Sequence, residues 1–311
     1  MARTLKTERN AMSKTFLIID CNFLCHRAFN SMDGLAHGET ATGVTFGFIK
    51  DCQSLINRFH TKNIIFAFDH GRGKRFDIYP KYKEKREIEK LEASEEEKES
   101  RQELYDQMDD LKKKWLPSMG FANVFYQKGY EGDDIIAEIA ARVPSKHKAI
   151  IISADQDLYQ CLRDNVEFYN PNFGDKPNIT KQSFIENYGV TPDQWWQVKA
   201  LAGCSSDGVK GISGVGEVKA IKFLRGELNK GVILDRITED TAKTKEQGGL
   251  YETNVELVKL PLAGTKRSKI KKDEYNQKAF KKMCKKLGFK ALAGGGKQTG
   301  LIKQKEKTFY G

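Results

Sequence analysis

Short apolar runs recur through the first half of the chain, and polar, helix-forming segments separate them. Apolar runs of about four to eight residues are typical of strands buried on both faces of a parallel sheet. They predict strands at 16–20, 63–69, 122–127, 148–153 and 166–169. Val44, Phe48, Cys52 and Leu55 repeat at helical spacing and predict a helix over 43–60. This alternation predicts an α/β fold with a mainly parallel, twisted sheet.

One connection in this pattern is much longer than the usual length of about 4–6 residues. From 72 to 101 it is dense in Lys, Arg and Glu, which predicts a helical or partly disordered excursion away from the core. A solvated insertion with no role is the alternative. Leu104, Met108, Leu111 and Trp115 then return at helical spacing, so this part should pack on the core.

From Ile179 the pattern becomes helical, with helices predicted over 180–188, 192–202 and 217–225. Lysines crowd residues 266–290, either to contact a polyanion or only to face solvent, and a glycine run from Gly294 predicts a mobile end. We therefore divide the chain into four parts: a disordered tail (1–14), an α/β core (15–178), an arch inserted in that core at about 72–115, and a helical region (179–311) with a lysine-rich C-terminus.

The charge balance adds a class of partner. The chain has 53 Lys and Arg against 42 Asp and Glu, a net charge of +11, which favours a nucleic acid or another polyanion. Its six cysteines show no metal-binding or Cys-x-x-Cys spacing, which favours reduced thiols in a cytoplasm. The polar N-terminus resembles no signal peptide, and no apolar run could span a membrane. We expect a cytoplasmic monomer.

Carboxylates stand where four of the predicted elements begin or end: Asp20, Asp69, Glu131, Asp133, Asp134, Asp155 and Asp157. Ligands of open α/β sheets bind beyond the carboxyl ends of the strands, so these groups should meet. Together they would repel one another unless cations neutralise them, and oxygen ligands suit Mg²⁺. A pair of such ions can clamp a phosphodiester. For Asp20 alone a helix cap is the alternative, and charge complementing a helix dipole explains part of the 131–134 group.

These motifs resemble those of bacteriophage-type 5′-3′ exonucleases of the flap endonuclease family, which includes the 5′-nuclease domain of bacterial DNA polymerase I. The matching segments keep the family's order over residues 16 to about 225. They are Ile19-Asp20-Cys21-Asn22 with Arg27, Phe68-Asp69, Tyr82-Lys83 with Arg86, Glu131-Gly132-Asp133-Asp134, Ser153-Ala154-Asp155-Gln156-Asp157, and Gly203-Cys204-Ser205-Ser206-Asp207 running into 211–216.

The resemblance implies a PIN-like 5′-nuclease core and magnesium-dependent hydrolysis of DNA near 5′ ends, with Mn²⁺ as a substitute. The first ion would be held by Asp20, Asp69, Glu131, Asp133 and Asp134, and the second by Asp155, Asp157 and Asp207. Lys83 and Arg86 would contact the scissile phosphate at the base of the arch, Tyr82 would position the terminal base, and Arg27 would face the 5′ strand. An ordinary solvated helix is the alternative for Lys83 and Arg86.

One position departs from the family's pattern, which usually has Asp where this chain has Cys204. A thiol is a poor ligand for a hard cation such as Mg²⁺. Water could replace the missing carboxylate, or the second ion could bind more weakly than the first, or Mn²⁺ could be preferred. A DNA-structure-binding protein with weak or no catalysis is therefore the alternative function.

Gly211, Gly214 and Gly216 lie in a loop that opens a helix, and such loops can bind phosphate. The loop resembles a helix-hairpin-helix element that grips duplex DNA, with Lys210 and Lys219 as further contacts and a potassium ion at 211–216. The implied partners are DNA with 5′ flaps, nicks or duplex 5′ ends, RNA primer–DNA hybrids, and replication proteins such as a polymerase or a single-strand-binding protein. The implied role is primer removal in phage replication, or recombination, in a host cytoplasm. A related PIN nuclease acting on RNA is disfavoured because the loop suits duplex phosphates.

Overall fold

The computed structural model describes residues 13–32, 34–71 and 73–293. The predicted disordered tail therefore lies outside the described residues except for its last two positions, and so does the glycine run from Gly294. Within the described ranges, no helix is long and apolar enough to cross a membrane.

Five parallel strands form the central sheet in the order β3-β2-β1-β4-β5. They are β1 (Thr15–Asp20), β2 (Asn63–Ala67), β3 (Val124–Phe125), β4 (Lys148–Ile152) and β5 (Val166–Tyr169). The predicted α/β fold and its five strands are confirmed, although β3 is only two residues long. The chain reverses its direction of travel across the sheet at β1, and this switch point opens a crevice at the carboxyl ends of the neighbouring strands.

Side chains alternate between two hydrophobic cores because successive residues of a strand point to opposite faces. Leu17 and Ile19 belong to one core with Phe48 and Phe66, whereas Ile18 belongs to the other. The helices, in chain order, are Cys21–Ser31, Gly43–Phe59, Arg75–Ile78, Glu84–Glu92, Glu95–Asp110, Leu116–Ser118, Gly132–Ala140, Lys181–Tyr188, Trp195–Ala202, Glu217–Leu224, Val232–Thr241, Leu250–Val258, Gln277–Lys286 and Lys290–Ala293.

Residues 75–115 form a helical arch on one side of the sheet. Its first long helix, Glu84–Glu92, buries no residue, as its charge density predicts. Ser94 then begins Glu95–Asp110 with a capping box to Glu97, and the buried Leu104 fixes this helix on the core. The arch therefore stands away from the sheet in its first half and packs on it in its second half.

The C-terminal part differs from the predicted division. Residues 263–276, which we call the strap, run extended along residues 119–130 at the edge of the sheet. Asn123 and Lys271 exchange two hydrogen bonds of 2.8 Å, and a Cβ on Gly120 would lie 1.8 Å from the Glu274 carbonyl oxygen. Phe280 of Gln277–Lys286 is then fully buried in the core that contains Leu17. The lysine-rich segment thus belongs to the nuclease core and not to a separate helical region.

Candidate metal centre

Asp20 lies at the carboxyl end of the central strand and makes two contacts. Its Oδ1 accepts from the Phe23 backbone N–H at 3.0 Å, which caps the helix Cys21–Ser31, and its Oδ2 accepts from the Ser153 hydroxyl at 2.7 Å. Burial raises the pKa of Asp20 to about 7, and repulsion from Asp69 and Asp155 adds to the shift. The cap is real, but this carboxylate also faces others across the switch point.

Asp69 and Asp133 approach Asp20 from the neighbouring elements. Asp69 Oδ1 accepts from the Gly132 backbone N–H at 2.6 Å, which ties the end of β2 to the start of Gly132–Ala140. Burial raises the pKa of the half-buried Asp133 well above its usual range, and repulsion from Asp155, Asp20 and Asp69 raises it further. Asp133 thus lies among carboxylates of both predicted groups.

Asp134 differs from its neighbour and corrects the predicted ligand set. It is fully buried and forms a bidentate ion pair with Arg75, with both N···O distances 2.8 Å. Its oxygens also accept from the backbone N–H groups of Leu262 and Glu131. Four donors occupy its two oxygens, so Asp134 has no free position for a metal. Its partner Arg75 was not predicted because it lies in a charge-dense segment with no distinguishing spacing.

A hydrogen-bonded network joins the base of the arch to both carboxylate groups. Lys83 Nζ donates to Glu131 at 2.6 Å, and Arg86 donates to Asp207 at 2.8 Å. The Tyr82 hydroxyl lies 3.1 Å from Glu131 and 3.2 Å from Asp207, although its one proton can serve only one of them at a time. Tyr82 is only 3% exposed, so it is not available to stack on a terminal base as predicted.

The charges in this network support one another. Burial alone would raise the pKa of Glu131, but Lys83 and Arg75 outweigh it and hold that pKa below its usual value. Burial would likewise lower the pKa of Lys83, yet Glu131 and Asp207 raise it. Lys83 also has a left-handed backbone (φ 54°), and its N–H donates to the Asp207 carbonyl at 2.7 Å. Lys83 is therefore a protonated cation held in a fixed position.

The second group contains an unexpected donor set. Asp157, Cys204 and Asp207 place their ligand atoms within 4.8 Å of one another, the one such group of three that the described residues contain. Asp155 accepts from the Asp157 backbone N–H at 2.8 Å. Burial raises the pKa of Asp157 to about 6, and repulsion from Asp155 contributes. The sulfur therefore stands where its sequence position predicts, beside two carboxylates.

Lys199, which sequence reasoning missed, is the counter-ion of this second group. Its ammonium lies 3.3 Å from Asp157 and 2.9 Å from Glu217. It sits in the helix Trp195–Ala202, whose apolar pattern gives no sign of a charged role.

Arg27 does not join the centre. Its guanidinium pairs with Asp51 and donates to Asn172 at 3.1 Å, on a surface away from the two carboxylate groups. The structure thus gives no support to the predicted position of Arg27 beside the metals.

A cavity of about 890 Å³ lies between the arch and the helix Cys21–Ser31 and reaches Asp69 and Glu131. Five cations line it: Lys83, Arg86, Lys90, Arg101 and Lys112. Because two of these cations also contact the carboxylate groups, the cavity leads directly to the centre.

The loop 203–216 carries both Cys204 and the predicted phosphate-binding glycines. A Cβ on Gly211 would lie 2.0 Å from the Ala202 carbonyl oxygen, so the close approach of two backbones requires glycine there. Gly214 has a left-handed backbone (φ 80°), and Gly216 precedes the helix Glu217–Leu224. Lys210 is exposed, whereas the Lys219 ammonium donates to the Gly214 carbonyl at 2.7 Å.

The donor set fits divalent cations. Several carboxylates converge with raised pKa values, which means that their negative charges are only partly compensated by protein cations. Oxygen donors with water completing the shell suit Mg²⁺, and the wider spacing of the first group leaves room for such water.

Comparison with known proteins gives a consistent result. Residues 15–189 match the family profile described as "5′-3′ exonuclease, N-terminal resolvase-like domain". The chain is 31% identical to the 5′-3′ exonuclease of Mycoplasmopsis pulmonis over 242 residues, which is 78% of this chain and 76% of that protein. It is 29% identical to the thermostable DNA polymerase I of Thermus thermophilus over 78% of its own length, but it spans only 28% of that protein.

A similar fold is found among solved structures. The T5 D15 protein co-crystallised with metal ions superposes with a TM-score of 0.64 at 21% identity, over 80% of this chain and 90% of that one. At this identity the likeness concerns the fold.

Proposed function

This chain belongs to the 5′-3′ exonuclease family, and we propose that it hydrolyses DNA phosphodiesters at or near 5′ ends, with Mg²⁺ as cofactor and Mn²⁺ as a substitute. One observation carries the proposal. Lys83 and Arg86 stand between two carboxylate groups, at the inner end of a cavity lined by cations. Anions that enter this cavity would meet fixed cations and a metal-binding centre together.

In this proposal, Asp20, Asp69, Glu131 and Asp133 hold the first ion, and Asp155, Asp157 and Asp207 hold the second. Two ions bound there would supply an activated water and would neutralise the charge on the cleaved phosphate. Asp134 acts by positioning: its bond to the Glu131 backbone N–H fixes the start of Gly132–Ala140.

Lys83 and Arg86 bind the scissile phosphate. Both are paired with carboxylates, and a phosphate oxygen would replace those partners as acceptor. Because Glu131 and Asp207 raise the pKa of Lys83, its ammonium keeps its proton near neutral pH and can stabilise negative charge on the substrate.

Substrate choice rests on shape. The glycine loop supplies backbone N–H groups for a duplex phosphate, with Lys210 beside it, while the cavity under the arch receives a 5′ strand. We therefore propose 5′ flaps, nicks and duplex 5′ ends as substrates, with primer removal during phage DNA replication or recombination in a host cytoplasm as the role. RNA primer–DNA hybrids, replication proteins and a potassium ion at 211–216 stay predictions. Lys219 already occupies the carbonyl of Gly214, which disfavours the potassium ion.

A second candidate function is DNA-structure binding with weak catalysis. It is favoured by the Cys204 thiol and by the ion pairs that tie Arg86 and Lys199 to Asp207 and Asp157. Both features would weaken a second Mg²⁺ ion without affecting the DNA-binding surface.

A 5′-labelled flap assay with and without Mg²⁺ separates the two functions. We expect Mg²⁺-dependent cleavage by the wild type and at least an about 100-fold loss in Asp155→Ala, with flap binding retained. Asp175→Ala is the matched control, because Asp175 is a fully exposed carboxylate paired with Arg58 outside the centre. Tight flap binding with no cleavage by the wild type would establish the binding function instead.

A further inference from the structure

Cys204 is the one cysteine of the six that is not buried. Its Sγ lies 3.1 Å from the Ser206 hydroxyl and faces the second carboxylate group. The thiol is therefore both accessible and placed among potential metal ligands.

The local fold fixes this sulfur against the two carboxylates. Cys204 pairs with Val209 across a two-stranded hairpin, and Asp207 lies in the helical turn Ser205–Asp207 that connects the two strands. Asp157 comes from a different turn, Gln156–Cys161, which follows β4. Three donor atoms from three backbone positions thus converge within 4.8 Å.

We propose that Cys204 Sγ, Asp157 and Asp207 form a divalent-cation site with one sulfur and two oxygen donors, selective for Zn²⁺ and similar thiophilic cations over Mg²⁺. The proposal deepens the proposed function, on which it rests for the expectation that Mg²⁺ is the ordinary cofactor of this centre. Borderline-soft cations bind thiolates strongly, whereas Mg²⁺ requires hard oxygen ligands.

Binding proceeds with a defined exchange of bonds. The cation forms a bond to sulfur, the S–H bond breaks, and the proton passes to the buffer, so about one proton is released for each cation bound. Lys199 is 3.3 Å from Asp157 and Arg86 is 2.8 Å from Asp207, and both must give up these partners. A cation tightly held in this way would exclude the second Mg²⁺ and reduce cleavage until a chelator removes it.

Cd²⁺ is a suitable probe because a cadmium–thiolate bond produces an ultraviolet charge-transfer band. Chelator-treated full-length wild type should develop this band with one equivalent of Cd²⁺ and release a proton, and Zn²⁺ should displace the Cd²⁺. Cys204→Ser should lose the band, and Cys204→Asp should bind Zn²⁺ about tenfold more weakly and Mg²⁺ about tenfold more tightly. Ser206→Ala, which removes only the hydroxyl beside the sulfur, should keep the band.

Two results would overturn the proposal. One is a wild type without the band, and the other is a band that persists in Cys204→Ser, because another thiol would then be the ligand. Circular dichroism of each variant excludes unfolding as the cause of a lost band, and Asp157→Asn should weaken Cd²⁺ binding while keeping the band. Since Cd²⁺ binding is measured without DNA, failure of the proposed nuclease function would leave this result unaffected.

Discussion

Replacing Arg75 by methionine tests whether the buried ion pair holds the site together. Arg75 is 3% exposed and Asp134 is fully buried, so water cannot replace the lost guanidinium. The substitution removes two bonds of 2.8 Å to Asp134 and one of 2.8 Å to the Leu257 carbonyl. Asp134 would keep only backbone N–H donors, and an unpaired buried charge costs about 3–5 kcal/mol.

Urea unfolding followed by circular dichroism at pH 7 measures this loss. Lys98→Met is the control, because it breaks an exposed pair with Glu95 and should change the free energy of unfolding by less than about 0.5 kcal/mol. The double variant Arg75→Met with Asp134→Leu should recover much of the loss, since no charge stays buried. A loss of under about 1 kcal/mol in Arg75→Met would refute the reasoning.

Three further predictions concern the centre, the C-terminal helix and the loop. Without metal, the unfolding free energy of the wild type should fall relative to Asp20→Asn from about pH 4 to about pH 7 and then level off, since the folded pKa of about 7 exceeds the unfolded value; saturating Mg²⁺ should remove the difference, and parallel curves would contradict this. The double variant Lys281→Gln with Lys282→Gln should flatten the log–log salt dependence of DNA binding by about 1 per lost phosphate contact, and an unchanged slope would leave these exposed lysines as solvated groups. Gly211→Ala should lower stability by more than about 1 kcal/mol in thermal unfolding, whereas Gly216→Ala, whose Cβ would enter open space, should not; equal effects would disprove the close-packing argument.

Most of the sheet and the convergence of its acidic residues were predictable from the sequence. An apolar run followed by a carboxylate marks the end of a buried parallel strand, and the switch point brings such ends together. Asp20, Asp69 and Asp155 follow this rule, and their clustering depends only on strand order. Cys204 was also placed correctly beside the second group, because its hairpin lies directly against Asp207 in sequence.

Other features depend on contacts that no local pattern records. Asp133 and Asp134 are adjacent and chemically identical, yet only Asp134 meets Arg75 and the Leu262 backbone, 59 and 128 residues away. The return of Phe280 to the core likewise has no periodic signal in the lysine-rich segment before it. Arg27 was placed by its motif position, whereas its helix faces Asp51. Long-range partners decided each of these cases.

The strap has a consequence for the order in which the molecule is made. The bonds that join Asn123 to Lys271 and Asp273 connect positions about 150 residues apart in the chain. Contacts of such separation form late, because loop closure must precede them, and unpaired sheet edges are prone to aggregation meanwhile. A nascent chain that has not yet emerged to Phe280 therefore leaves one sheet edge and one face of its core uncovered. Completion of the nuclease core waits for the ribosome to finish the strap, so stalled or truncated translation products should aggregate rather than cut DNA.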